Sequence, residues 1–368
     1  MRKLIILSTF FLCFIIGAVG QEKLDELLLV RGLCLPAPDK ETVDPFIKFI
    51  NEELVPMKVN TLVLRIGYNF EYESHPELRT ENALSKGDIN KMKKACKDGG
   101  IRIIPLINLL GHQSWYGSIN KLLEVYPEFN ESPDFPPDGQ EEWERIPGRC
   151  CLSYCSLHPE VHDVIFDVVD EIVEVFESDA FHAGMDEVYY IGYEKCPRCS
   201  GRDKAELFAG EVTRIRDHLA LNDKELWIWG DRLIDGKTTG LGYWSASMNN
   251  THRAIDMIPK DVVINDWHYH NPDPTAVVFA LKGFKVVTCP YRKADVARKQ
   301  LHMIVQFREN ATQETKENYY GMMQTIWNPT SDFLDYYYGR RELDQEDERG
   351  NYVECFKVLF KEINKLDD

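Results

Sequence analysis

Beyond its first twenty residues, the sequence holds no apolar run long enough to cross a bilayer as a helix, which takes about 20 residues. Basic side chains are outnumbered: 43 Lys and Arg stand against 60 Asp and Glu, a formal charge of -17. That balance excludes nucleic acid and anionic membrane surfaces as partners, because both select net positive protein. Cysteine is sparse, ten in 368 residues, which excludes a fold held together chiefly by disulfides. Low-complexity stretches are missing, as is any composition break that would mark an interdomain linker. A hydrophobic content of 44% with 11% aromatic residues excludes disorder. These exclusions leave one large globular domain with ample chain to bury a core.

The chain opens on MRK, runs through the apolar LIILSTFFLCFII and reaches GAVG before Gln21. A short positive start, an apolar centre and small residues at the exit make residues 1–20 a signal peptide. The expected product is therefore secreted or periplasmic, with a mature domain over 21–368.

Short β-rich runs alternate with helical stretches through that domain. ELLLVRGLC, its strand ending near Arg31, is the first run, and NTLVLRIG and IRIIPLINLL are the second and third. The third is apolar on both faces, as buried parallel strands are. AFHAGMD, ELWIWGD, DVVINDW, FKVVTCP and GMMQTIW supply five more. Between them, SKGDINKMKKACKDGG reads as a helix stopped by Gly99 and Gly100. PEVHDVIFDVVDEIVEVF carries Val161, Ile165, Val168 and Ile172 on one stripe. Eight strand–helix units predict an α/β fold, a (β/α)8 TIM barrel, with a doubly wound open sheet as the rival. A long excursion, at about 109–158, interrupts the repeat after the third strand.

Polar and aromatic residues recur where the strands end: Arg31, Arg65, His112, Asp186 with Glu187, Asp231, Trp267 with Tyr269, and Trp327. In a barrel these positions meet on the C-terminal face, where active sites lie. The densest segment is FHAGMDEVYY. Strand alternation puts His182, Gly184 and Asp186 on one face and Glu187 on the other. Both acids serve one pocket only if the strand stops or bulges near Met185. There Gly184 would make room for substrate and His182 would orient the acids. Glycoside cleavage needs an acid beside the leaving oxygen and a negative or nucleophilic group beside the anomeric carbon. An adjacent Asp–Glu pair suits a variant in which the substrate's 2-acetamido oxygen is the nucleophile.

HAGMDE at residues 182–187 resembles the His-x-Gly-x-Asp-Glu segment of glycoside hydrolase family 20, the β-N-acetylhexosaminidases, in their short single-barrel form. RG at Arg31, LLGHQ with His112, WIWGD with Asp231, INDWHYH and QTIW fall in the family's order. The resemblance implies a retaining exo-β-N-acetylhexosaminidase that acts through an oxazolinium intermediate and requires no cofactor. It makes Glu187 the general acid and base, Asp186 the holder of the acetamido group and Tyr269 a donor to the acetamido oxygen. It makes Arg31 the grip on sugar hydroxyls, with His112 and Asp231 as helpers and Trp229, Trp267 and Trp327 as walls. Met185 and Asn328 depart from the family pattern, the latter where many members present a carboxylate. Two rival readings are a barrel glycosidase with a protein nucleophile for sugars lacking the acetamido group, and a carbohydrate-binding protein without turnover. The partner in each case is a glycan.

Cys151 and Cys155, in CCLSYC, and Cys196 and Cys199, in CPRC, flank the acidic pair in sequence. These four thiols could hold a structural zinc ion, one half having the usual Cys-x2-Cys spacing. Disulfides are the competing reading for an exported protein. Asn130, Asn249 and Asn310 begin Asn-x-Ser/Thr sequons.

Overall fold

The computed structural model describes residues 23–115, 118–134, 151–342 and 351–367. Residues 1–20, the expected signal peptide, and Cys150 lie outside them. Among the described residues, no helix is long and apolar enough to cross a membrane.

Eight parallel strands close on themselves: β1 (Val30–Pro36), β2 (Thr61–Arg65), β3 (Arg102–Leu109), β4 (Ala180–Gly184), β5 (Glu225–Trp229), β6 (Val263–Trp267), β7 (Val286–Cys289) and β8 (Tyr319–Thr325). Neighbours in sequence are neighbours in space, and β8 returns to pair with β1. That closure makes a TIM barrel and rules out the open doubly wound sheet.

Helices wrap the outside because their apolar stripes need a cover. Helix α1 spans Val43–Phe49 and α2 spans Lys86–Asp98. A reciprocal Ser85–Asp88 capping box starts α2, and Gly99 ends it. Helix α3 (Val161–Phe176) buries Val161, Ile165, Val168 and Ile172 against the barrel, the stripe read from the sequence. Helices α4 (Lys204–Ala220), α5 (Thr275–Leu281), α6 (Ala294–Asn310), α7 (Thr330–Tyr337) and α8 (Tyr352–Asn364) complete the layer. The excursion between β3 and α3 contains a hairpin, Ser114–Trp115 with Ser118–Ile119, and a short helix, Lys121–Val125.

Side-chain alternation divides the interior into two cores. Val30, Cys34, Val63, Ile104, Leu106, Ala180, Trp227, Trp229, Val263, Val287 and Met323 point to the barrel axis. The intervening residues, such as Leu33, Leu62, Leu64, Phe181 and Ile228, join the helices in a much larger core.

This alternation corrects one site assignment. Arg31 lies in the second position of β1, at the N-terminal mouth, between axis-facing Val30 and Gly32. It therefore points outward, away from the face where substrate would enter. Its guanidinium is buried, with Nη1 2.7 Å from the Leu28 carbonyl and 2.8 Å from Asp25 Oδ1. Nε donates to the Lys58 carbonyl at 3.0 Å. The expected strand in ELLLV begins late because its start is helical. Leu24 and Leu28, four apart, are both buried, and the Leu28 amide donates to the Leu24 carbonyl. Arg31 thus ties this turn to the barrel floor. Arg31→Gln should lower the unfolding free energy by about 1.5–3 kcal/mol, the range for hydrogen bonds of a charged group. Turnover per folded molecule should be unchanged. Urea melts and active-site-normalised kinetics would check both, and a selective loss of substrate affinity would restore the discarded role.

Candidate active site

A cavity of about 640 Å³ opens at the C-terminal ends of the strands. Its size suits a small ligand. Asp186 and Glu187 both line it, which simple strand alternation forbids. The strand stops at Gly184, and the chain then turns through left-handed conformations at Gly184 (φ 67°), Met185 (φ 67°) and Glu187 (φ 49°). For the two non-glycine residues this costs on the order of 1–2 kcal/mol each. Met185 recovers part of that cost by full burial in the outer core. Gly184 makes room, but for the neighbouring strand and not for substrate. A Cβ there would stand 2.3 Å from Oδ1 of Asn108.

Later segments hold the turn in place. The Glu187 amide donates to Oδ2 of Asp231 at 3.0 Å, and the same oxygen accepts from Arg232 Nε at 2.6 Å. Asn249, read from sequence as the start of a sequon, is buried and donates through Nδ2 to the carbonyls of Val188 (2.9 Å) and Tyr189 (3.0 Å). Gly111 lets β3's exit approach the acids. A Cβ on it would lie 2.6 Å from the Asp186 carbonyl oxygen.

His112 is the electrostatic centre. Its Nε2 stands 3.1 Å from Oδ2 of Asp186 and 3.0 Å from Oε2 of Glu187. Burial opposes protonation of the ring, but the two carboxylates outweigh it and raise the pKa well above 6.5. Burial likewise opposes ionisation of Asp186, but the His112 cation, with help from Arg65, holds its pKa below 3.8. The pair is therefore an imidazolium with an ionised aspartate. By linkage, the histidine's contribution to stability is complete below its unfolded pKa and is lost as pH rises through the higher folded value. The aspartate's contribution is present above its unfolded pKa and is lost as pH falls through the lower folded one.

The remaining expected residues separate into wall and support. Trp267, Tyr269 and Trp327 line the cavity, and Trp327 Nε1 donates to the Tyr269 hydroxyl at 3.0 Å. Burial raises the Tyr269 pKa well above 10, so it is a neutral phenol. Trp229 does not reach the cavity. It packs on the axis beneath, 5.7 Å from the Trp327 ring and 4.5 Å from His182. His182 is wholly buried, and its Nδ1 accepts from the Gly184 amide at 3.0 Å without bonding either acid. Burial lowers its pKa to about 3, which leaves it neutral. Asp231 is also a support and not a sugar contact. Burial, with repulsion from Asp186, raises its pKa to about 6 against the opposing pull of Arg232.

Two cavity residues, Arg65 and Arg292, and one neighbour of the acids, Cys151, have placements that the sequence did not assign. Arg65, at the end of β2, faces the axis, with its guanidinium carbon 4.4 Å from the Trp327 ring centre. Its Nη1 is buried without a hydrogen bond. The alternation of Val63 and Arg65 could have found it. Cys151 is not with the other thiols. Its Sγ donates to Glu187 Oε2 at 3.2 Å and lies 3.8 Å from His112 Nδ1. No local signal separates Cys151 from Cys155. Arg292 borders the cavity beside Tyr291, whose hydroxyl bonds Oδ1 of Asn328 at 2.8 Å.

Residues 51–344 match the profile described as "Glycosyl hydrolase family 20, catalytic domain". The chain belongs to that family. The Lacto-N-biosidase of Bifidobacterium bifidum is 24% identical over 259 residues, covering 67% of this chain and 20% of that protein. A Beta-hexosaminidase of Akkermansia muciniphila is 30% identical over 119 residues, 32% of this chain and 22% of that one. This family 20 chain thus spans about a fifth of the length of those relatives. Among solved structures, Flavobacterium johnsoniae chitobiase is 17% identical with a TM-score of 0.59, covering 92% of this chain and 51% of that one. The exo-β-N-acetylglucosaminidase of Vibrio harveyi gives 16%, 0.55, 92% and 58% respectively. At such identities these likenesses speak for the barrel alone. Family 20 enzymes use substrate-assisted catalysis and need no cofactor.

His112→Gln keeps a donor but removes the cation that depresses Asp186. The Asp186 pKa should then rise, and the acid limb of kcat/KM should move to higher pH. A pH–rate profile checks the direction, and an unmoved acid limb would refute the electrostatic role.

Proposed function

We propose that the chain is a retaining exo-β-N-acetylhexosaminidase, cleaving terminal N-acetylglucosamine or N-acetylgalactosamine from glycans. The observation that carries this reading is that Asp186 and Glu187 contact one imidazole nitrogen and so occupy the same side of the cavity. They are the two carboxylates among its described lining residues. A protein-nucleophile mechanism needs its two carboxyl groups on opposite flanks of the scissile bond. The observed grouping favours the substrate's acetamido oxygen as nucleophile.

In this reading Glu187 gives a proton to the glycosidic oxygen while the acetamido oxygen closes on the anomeric carbon. Ionised Asp186 accepts from the acetamido N–H and stabilises the positive charge that develops on the ring. Tyr269, whose oxygen already accepts from Trp327, directs its own hydrogen to the acetamido oxygen. Water then opens the oxazolinium, with Glu187 taking its proton, and two inversions restore the β configuration. Arg65 takes the hydroxyl-gripping role first given to Arg31. Trp267 and Trp327 offer ring faces to the sugar. The signal-like residues 1–20 support action outside the cytoplasm.

Glu187→Gln should reduce turnover of β-linked N-acetyl chromogenic substrates by roughly 10²–10⁴-fold, the usual worth of a positioned acid. Asp186→Asn should be as damaging on those substrates, and the unmodified protein should leave the matching glucoside intact. Equal hydrolysis of the glucoside would overturn the substrate-assisted reading. Inactivity on every sugar would favour a binding role. Arg65→Gln should lower kcat/KM roughly 10- to 10²-fold, the equivalent of losing one charged hydrogen-bond set; unchanged kinetics would remove it from the binding surface.

A further inference from the structure

Outside the cavity, three buried thiols converge. Sγ of Cys155 lies 3.2 Å from Sγ of Cys199 and 3.6 Å from Sγ of Cys196, and all three sulfurs lie within 4.8 Å of one another. A disulfide requires about 2.05 Å between sulfurs. Tetrahedral zinc, with bonds of about 2.3 Å, requires sulfurs spaced about 3.8 Å apart. The number also matters, since a disulfide between any two would strand the third thiol in the interior.

A fourth donor stands beside Cys199, though not within 4.8 Å of all three sulfurs. Glu131 is only 1% exposed, an uncommon place for a carboxylate without a cation. Its Oε1 accepts from the Tyr193 amide at 2.9 Å. Its Oε2 makes no hydrogen bond of ordinary geometry, although the Cys199 thiol adjoins the carboxyl. The backbone presents Glu131 and Cys155 together. The Glu131 amide donates to the Ser153 carbonyl at 3.1 Å, and the Cys155 amide donates to the Phe129 carbonyl at 2.7 Å. These two residues therefore project from one face of a short antiparallel pair centred on the Asn130–Tyr154 bridge. Cys196 and Cys199 arrive from the other side, on the turn that follows the catalytic strand.

We propose that Cys155, Cys196 and Cys199, with the carboxylate of Glu131, bind one zinc ion that fastens the β3–α3 excursion to the loop leaving Asp186 and Glu187. Binding would release three thiol protons to solvent and leave four ligands, the closed set of a structural site. The ion performs no step of hydrolysis. Its effect is positional: Cys151, which touches Glu187, is four residues before Cys155, and Glu187 is nine before Cys196. This differs from the set read from sequence, in which Cys151 completed the site. That sulfur points instead at the general acid.

The test uses the full chain purified without chelator. Elemental analysis should find close to one zinc per chain. Cys196→Ser/Cys199→Ser should lose it and melt several degrees lower. Replacement with Co²⁺ should give a thiolate-to-cobalt charge-transfer band. Glu131→Gln should keep that band but give up Zn²⁺ to a competing chelator at least 10-fold more readily. Zinc-free protein with two thiols missing from a denatured, non-reduced titration would mean a disulfide and overturn the proposal. Zinc-free protein with every thiol titratable would overturn it equally, as would zinc retained by a folded double variant. If that variant does not fold, the metal content of the unmodified chain and the chelator competition of Glu131→Gln still decide.

Discussion

Two carboxylates that follow one another in the chain meet at a single imidazole nitrogen. Were both ionised, charges placed that closely would repel by about 3 kcal/mol even in a responsive environment, with an effective dielectric constant near 20. A cation about 3 Å from each attracts each by on the order of 5 kcal/mol on the same scale. His112 is that cation, and the arrangement depends on it. The acids can face one cavity because the histidine lies between them, and the histidine stays protonated because both acids are there.

Holding this group together requires a backbone that the strand would not adopt unaided. Left-handed turns at Met185 and Glu187 are maintained from outside the segment. Asp231 receives the Glu187 amide, Asn249 captures the next two carbonyls, and Gly111 lets the two strand exits touch. Several residues that look catalytic by type are thus part of this framework. Asp231 and His182 act on the backbone, and Trp229 is packing under the cavity floor. A buried acid with a raised pKa, as Asp231 has, marks a functional neighbourhood here without touching its cavity.

Much of the barrel was legible because each unit is a local pattern. Capping residues, a stripe spaced for a helix, and short β-rich runs each declare themselves within about fifteen residues, and eight repeats leave few ways to close. Errors came where one local pattern could serve two structures. The leucines before Arg31 fit a strand by composition and a helical turn by their four-residue spacing, and this placed the arginine at the wrong end of its strand. Arg65 carries the better signal, ending its strand on the same parity as an axis-facing valine, whereas family order points to Arg31. Cys151 and Cys155 share a segment and a residue type. Their separation into two environments has no counterpart in spacing.

The distinction follows from range. Periodicity and caps are properties of neighbouring residues, so the strand–helix repeat, its closure into a barrel and the concentration of chemistry around Asp186 and Glu187 could be read along the chain. Which side chain reaches which atom depends on register between strands and on loops that meet only after closure. The sequence posed the acidic pair as a conflict, two residues of opposite parity needed in one place. Folding resolves it with a left-handed turn whose strain is borne by contacts from residues 111, 112, 151, 231 and 249. Those contacts span distant parts of the chain, and no local pattern carries information about them.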